Sequence, residues 1–419
     1  MKFLLKIFKK KRLLTGLGFV TVILLVVVAG YRFNWPLERQ AFAIILLLFI
    51  WVMFYMFQRM QAAKGAASIE ESIRSQSVAG YGNQEEIDQL RHQLTSAIDS
   101  LKNTKLGNGV SGKAALYALP WYMFIGPPGS GKTTAIENSG LEFPHGTDRI
   151  RGVGGTRNCD WFFSNSAILL DTAGRYTTQD EDRDEWFAFL DMLKKHRKKR
   201  PVNGVIIGIS IADLLNADSD DLEKYAKTIR ERIDELIERL GVHFPVYLVF
   251  TKCDLIHGFV EFFEDFGRFE REQIWGASLT KEQQENPDIS SVFLTEYQKL
   301  HDALLSARLD RLNNPMNRET RQKVYTFPLE FLSLREPLDT FVSKLFQQNP
   351  YKENPMFRGF YFSSGTQEGV PIDRVVQSIA KQFDLAPEMQ QSFNPEMETK
   401  SYFIKDLFTD VVIPDQHMV

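Results

Sequence analysis

The sequence predicts the α/β class, with two apolar helices ahead of a domain built on a largely parallel sheet. Three observations predict it. The first sixty residues contain two long charge-free apolar runs. A glycine-rich loop at 126–134 sits between an apolar strand and a helix-capable stretch. Beyond it, short apolar runs alternate with amphipathic helical patterns, as parallel strands joined by crossover helices do. The 419 residues, 44% hydrophobic and 25% charged, suffice for about two to three domains. Two cysteines exclude a disulfide scaffold. The net charge of −3 is uneven: residues 1–60 hold nine Lys/Arg and one acid, Glu38, for +8, which leaves −11 for residues 61–419. Such a split fits a basic, membrane-facing end on an acidic body, and no nucleic acid is expected as a partner, because a nucleic-acid binder is basic across its folded part.

Residues 1–60 read as a basic tail and a transmembrane hairpin. Leu13–Gly30 and Ala41–Phe57 carry no charge, and at 1.5 Å per residue each is roughly 26–27 Å long, close to the hydrocarbon core of a bilayer. Trp35, Trp51, Tyr31 and Tyr55 lie near the ends, where amphipathic rings favour the interface. The first run has no small-residue cleavage site before the second begins, which argues against a signal peptide. Lys2, Lys6, Lys9, Lys10, Lys11 and Arg12 precede the first span, against Arg32 and Arg39 between the spans. The positive-inside rule then places the N-terminus in the cytoplasm, and two crossings return the main domain to the same side.

Residues 61–113 read as a linker followed by an amphipathic helix, with Asn83 and Glu86 as a capping pair ahead of Ile87, Leu90, Leu94, Ile98 and Leu101. The next region, 114–257, carries the motifs. Trp121–Ile125 is a short apolar strand leading into Gly126-Pro127-Pro128-Gly129-Ser130-Gly131-Lys132-Thr133-Thr134, a complete G-x-x-x-x-G-K-[ST] phosphate loop. The glycines let successive backbone N–H groups wrap a phosphate, Lys132 reaches its β/γ oxygens, and the Thr133 hydroxyl ligates Mg²⁺. The strand Ala167–Leu170 ends in Asp171-Thr-Ala-Gly174-Arg175, so Asp171 occupies the Walker B position of the metal shell and Gly174 the position that senses a γ-phosphate. Val246–Phe250 runs into Thr251-Lys252-Cys253-Asp254, which resembles the guanine-reading [NT]-K-x-D of GTPases. Thr156, in Gly152-Val-Gly-Gly-Thr156-Arg157, stands where GTPases keep the switch threonine that completes the Mg²⁺ sphere.

Between these motifs, 158–163 pairs as a hairpin with Ala167–Leu170. Helix 184–196 leads to strand 205–211, and a long helix carries Leu222, Tyr225, Ile229, Ile233, Ile237 and Leu240 inward before stopping at Gly241. This order is that of a Ras-like P-loop NTPase domain with helical insertions. A helical insertion is expected over 258–320 and the rest of the domain with a C-terminal helical extension over 321–419. The last strand is either Val324–Phe331 or Phe357–Phe362 with Ser363-Ser-Gly-Thr366 after it. Arg175 stands where Ras-like GTPases carry the Gln that orients water. It could stabilise γ-phosphate charge but is a poor base, so Lys132, Thr156 and Arg175 form a catalytic set from which only slow hydrolysis is expected. The seven His and two Cys show no metal-ligand spacing. The run Lys194–Arg200, KKHRKKR, suits either a solvated helix end or contact with anionic lipid.

The paired N-terminal spans, GPPGSGKTT, GVGGTRNCDWFF, LLDTAGRY, FTKCD, RGFYFSSGTQEG and DLFTDVV together resemble the IcmF/TssM family, inner-membrane core proteins of bacterial type VI secretion systems, over essentially the whole chain. The resemblance implies a cytoplasmic NTPase-like domain binding ATP or GTP with Mg²⁺, in a longer protein with a third span and a periplasmic region after Val419. It implies partners too: a DotU/TssL-type inner-membrane protein, baseplate components, the lipid bilayer, further copies in a membrane complex, and a TssJ-type lipoprotein through the periplasmic part. Two other roles stay open, a structural scaffold with a vestigial pocket and a membrane-tethered targeting GTPase.

Overall fold

The computed structural model describes residues 117, 119–143, 159–178, 182–366 and 400–419, all inside one unit, Ser77–Val419. The expected membrane hairpin, the linker with its amphipathic helix, and Thr156 lie outside the described residues. Among the described residues no helix is long and apolar enough to cross a membrane.

Seven strands form one sheet: β1 Trp121–Ile125, β2 Cys159–Phe163, β3 Ile168–Thr172, β4 Gly204–Ser210, β5 Pro245–Thr251, β6 Gly276–Ser278 and β7 Met356–Phe362. Their order is β2-β3-β1-β4-β5-β7-β6. The five inner strands are parallel, with Phe124 beside Asp171, Tyr122 beside Gly204 and Val205 beside Val246. Only the edges, β2 on β3 and β6 on β7, are antiparallel. Strands read as unbroken apolar runs because both faces are covered. Alternation assigns each side chain to a face: Trp121, Met123 and Ile125 enter one core, Tyr122 and Phe124 the other.

The helices are α1 Lys132–Glu137, α2 Arg175–Thr178, α3 Arg183–His196, α4 Ile211–Asn216, α5 Ser219–Leu240, α6 Phe259–Phe263, α7 Arg268–Glu272, α8 Lys281–Gln284, α9 Ile289–Leu312, α10 Arg318–Ser333 and α11 Arg335–Leu345. The larger core lies between one face of the sheet and α3, α5, α9, α10 and α11. In α5 the Asp218 carboxylate accepts from Asp221 N at 2.8 Å and so caps the start, while Gly241 in the left-handed region (φ 66°) ends it. The stripe Leu222, Ala226, Ile229, Ile233, Leu236 and Leu240 is fully inward, at about 1.5–3 kcal/mol for each large side chain buried. The other face is covered differently. Among the described residues, α1, Leu141, Phe143 and the C-terminal residues Ile404, Leu407, Phe408, Val411 and Val412 pack with Tyr122, Phe124, Leu169, Ile206, Tyr247 and Val249 there. Tyr247 donates to Asp415 at 3.1 Å, and Arg358 pairs with the same carboxylate at 2.7 Å, fixing the end of that segment to β5 and β7.

The last parallel strand is β7. Val324–Phe331 lies inside α10 instead, because Val324, Phe327, Pro328 and Phe331 repeat at helical spacing behind an Asn317 cap that accepts from Thr320 N at 2.7 Å. Region 258–320 holds α6 to α9 but also β6, on the sheet edge. Its Gly276 is required there, since a Cβ would stand 2.3 Å from Phe360 O. Truncating Phe408 to Ala should remove about 3–5 kcal/mol of stability and lower the midpoint of the whole domain's urea transition in one step, as measured by tryptophan fluorescence. A separate early loss of the C-terminal segment would contradict its place in the core.

Candidate functional site

The site forms where the parallel strands end. After Ile125 the chain turns at Gly126, whose Cβ position lies 2.2 Å from Gly208 O on β4, so only glycine allows this approach. Gly129 (φ 74°) and Gly131 (φ 78°) take the left-handed region and turn the loop into α1. Thr251, at the end of β5, ties it down: its hydroxyl reaches Ser130 O at 2.6 Å and Ile209 O at 3.2 Å. Lys132 is buried and donates to Gly126 O at 2.9 Å and Pro127 O at 3.0 Å. Burial holds its pKa below the ordinary lysine value, and Asp171 acts against that shift. The buried Ser130 hydroxyl has no hydrogen-bond partner among the described residues, a polar group inside a loop of backbone donors.

Asp171 is fully buried on β3, and the Thr133 hydroxyl donates to its carboxylate. Thr172 secures the strand end by donating to Phe124 O at 2.8 Å. The D-x-x-G glycine then lies against the phosphate loop, since a Cβ on Gly174 would stand 2.2 Å from Pro128 N. These pieces enclose a cavity of about 450 Å³ lined by Pro128 to Thr134, Asp171, Thr172, Gly174, Lys252 and Thr366. Lys252 sits at a positive φ of 58°, a strained conformation for a residue other than glycine. Asp254 is buried behind it and accepts from the Ser364 hydroxyl at 2.7 Å. Cys253 N donates to Ser363 O at 3.1 Å, and a Cβ on Gly365 would meet Thr134 Cγ2 at 2.6 Å. The loop 363–366 after β7 therefore bridges the T-K-C-D turn and α1.

The structure thus brings together the loop 126–134, Asp171, Gly174, Thr251 and Lys252. Asp254 stands in the layer behind the cavity. Arg175 is placed elsewhere than a phosphate-facing role requires: its guanidinium pairs with Asp182 and Glu185, each at 2.7 Å, and does not line the cavity. The cause is local, because α3 starts with acidic residues right beside the turn that follows Gly174. Thr172 and Thr366 line the cavity without having been singled out. For Thr366 the usable signal was its place four residues past an apolar strand. Among the described residues no cluster of three or more His, Cys, Asp or Glu could hold a metal unaided. A cation here would need ligand oxygens beside Thr133 and Asp171.

Two glycine substitutions separate space from backbone strain. Gly174→Ala should cost about 3 kcal/mol, because its methyl meets backbone of the phosphate loop. Gly129→Ala, with open space around its Cβ, should cost about 1 kcal/mol for the left-handed conformation alone. Thermal denaturation of the two variants side by side checks the ordering.

The model for the IcmF-related N-terminal domain matches residues 179–419. The type VI secretion system component TssM1 of Pseudomonas aeruginosa is 44% identical over 356 residues, 83% of this chain and 32% of that protein. The chain therefore spans about a third of the length of the curated relative it matches. Two solved structures are similar at low scores. The signal recognition particle receptor SRb-GTP/SRX complex from Chaetomium thermophilum is 21% identical, covering 32% of this chain and 70% of that one, with a TM-score of 0.21. A GDP-bound NFeoB mutant from S. thermophilus is 10% identical, covering 55% and 98%, with a TM-score of 0.23. The family model alone takes in more than half of the sequence, and on that match the chain belongs to the IcmF/TssM family.

Proposed function

We propose that this chain is the nucleotide-binding part of an inner-membrane core subunit of a type VI secretion system, and that its nucleotide state is coupled to assembly or effector export. The observation that carries the reading is one joint: the Thr133 hydroxyl on the Asp171 carboxylate, beneath a phosphate loop that Gly174 abuts. The strand order β2-β3-β1-β4-β5-β7, with an antiparallel β2 at one edge, is also that of Ras-like nucleotide domains, with β6 added at the other edge.

On this reading the backbone amides of 129–133 and the Lys132 ammonium hold the β- and γ-phosphates. Thr133 and Asp171 hold Mg²⁺, with Thr156 proposed to complete its sphere. When bound, the ion supplies charge neutralisation on the phosphate oxygens. Asp254, oriented by Ser364, pairs with the base edge, which favours GTP over ATP as the ligand. With Arg175 held by Asp182 and Glu185 outside the cavity lining, it does not orient water there, and slow turnover is expected. The domain would sit in the cytoplasm beneath the hairpin at 13–30 and 41–57. Its partners would be a DotU/TssL-type protein, the baseplate and further copies, with a TssJ-type lipoprotein reached through a periplasmic region outside this chain.

The engaged Arg175 favours a second reading, a scaffold whose pocket no longer works. Titrating the full chain with ATP and GTP, with and without Mg²⁺, decides between the two. The first reading expects Mg²⁺-dependent binding that Lys132→Ala weakens roughly tenfold or more, the loss of a charge-assisted contact. Binding unchanged by Lys132→Ala, or none at all, leaves the scaffold. Asp254→Asn should shift the preference from guanine toward xanthine nucleotides; an unchanged preference would remove Asp254 from base reading.

A further inference from the structure

One feature is absorbed by neither the fold nor the pocket: the run Lys194 to Arg200. Between Asp191 and Asp213 the sequence holds six Lys/Arg and no acid. Compensation of the α3 dipole accounts for only part of it. The helix ends at His196 with Arg197 as its C-cap, so Lys198, Lys199 and Arg200 lie beyond the last turn, where the dipole no longer acts.

The run is pinned rather than loose. Arg197 is 2% exposed, with its guanidinium 4.8 Å from the Trp121 ring and 5.7 Å from that of Tyr117. Asn203 closes the turn: its side-chain oxygen accepts from Trp121 N at 2.9 Å, and its backbone N–H donates to Trp121 O at 2.6 Å. The amide of Asn203 and the guanidinium of Arg200 both donate to Gln416 O, at 2.9 and 3.4 Å. From this base Lys198 and Lys199 project exposed, and neither makes an ion pair with another described residue. Lys194 is exposed beside them, donating to Arg239 O at 2.7 Å.

Position adds the second argument. Tyr117 donates to His196 O at 3.2 Å, so the basic run lies beside Tyr117, four residues ahead of β1. This is the N-terminal end of β1, whereas the phosphate loop leaves its C-terminal end, about 16 Å away for a five-residue strand.

We infer that this pole is a docking surface for anionic lipid headgroups. Lys194, Lys198, Lys199 and Arg200 lie at the bilayer surface and the nucleotide cavity opens away from it. Lysine suits this role, because long stems reach a surface while the charges stay hydrated. The acidic balance of residues 61–419 sets nucleic acid aside as the partner. The inference rests on residues 1–60 being a bilayer anchor.

The test uses the full chain in nanodiscs of phosphatidylcholine alone or mixed with phosphatidylglycerol. An environment-sensitive fluorophore is placed on Lys199→Cys, and on Ser219→Cys at the opposite end as a control. The two native cysteines are buried and stay unlabelled. In anionic discs the label at 199 should shift to the blue, lose the shift in high salt, and leave the label at 219 unmoved. Neutralising Lys198 and Arg200 to Gln should lower the docked fraction by roughly fivefold per cation. A chain that enters both discs while label 199 stays aqueous overturns the docking alone. A chain that enters neither disc overturns the anchor and the docking with it. A label that responds to duplex nucleic acid and not to lipid reassigns the surface and also overturns it.

Discussion

The constraint on which the rest depends is the close approach of backbone to backbone at the C-terminal edge of the sheet. Gly126 against Gly208 O and Gly174 against Pro128 N leave no room for a Cβ at either contact. These approaches let three consecutive parallel strands, β3, β1 and β4, deliver their ends to one loop. The Thr251 hydroxyl then joins a fourth strand to it through Ser130 O and Ile209 O. A loop held in this way presents its amides without further ordering, so on the proposed reading the cost of organising an anion site is met during folding. The Thr133–Asp171 contact follows from the same geometry. Asp171 sits beside Phe124 in register, one residue before β1 ends, and Thr133 lies in the first turn of α1.

The two faces of the sheet carry different dependencies. The face under α3, α5 and α9 to α11 is closed by long helices contiguous in sequence with the strands they cover. The opposite face is closed by α1 and by residues 404–412, more than two hundred and fifty residues further on. The chain leading into that segment also meets the site: Ser364, whose hydroxyl donates to Asp254, pairs its backbone with Tyr402 at 2.8 and 3.1 Å. The T-K-C-D turn and the chain leading into the last covering segment are thus parts of one hydrogen-bonded structure.

Much of this was legible in the residues because the governing physics is local. A strand buried on both faces reads as an unbroken apolar run, and β1, β4 and β5 do so. The phosphate loop demands glycine at fixed spacing, so Gly126 to Thr134 could be placed without a structure. Legibility fails where tertiary contact decides. Val324 to Phe331 has the composition of a strand, yet its apolar positions repeat at helical spacing and Asn317 caps it. The edge strand Gly276 to Ser278 has only three residues and no pattern; pairing with Tyr361, Phe360 and Gly359 makes it a strand. Arg175 shows the same limit at the site. Its position after D-x-x-G is evident, but its orientation is set by Asp182 and Glu185 on the next helix.

The charge asymmetry seen in the composition also has a spatial form in the folded unit. At the C-terminal edge of the sheet, Lys132 is turned inward onto its own loop and Asp171 is buried under Thr133. The pocket therefore shows an anion backbone donors more than free cations. At the other edge six cations follow one another without an acid, and the one that is buried, Arg197, is spent on Trp121 and Tyr117 as an anchor. Anchoring by Arg rather than Lys is consistent with a planar group that stacks on rings and tolerates partial dehydration. On the two proposals both edges attract phosphate-bearing partners, but by opposite physics. One offers a preorganised cradle that selects shape, and the other an exposed cluster that selects charge and is screened over about 8–10 Å by salt. Ionic strength therefore separates the two: it should weaken contact at the Lys194 to Arg200 pole far more than contact in the buried loop.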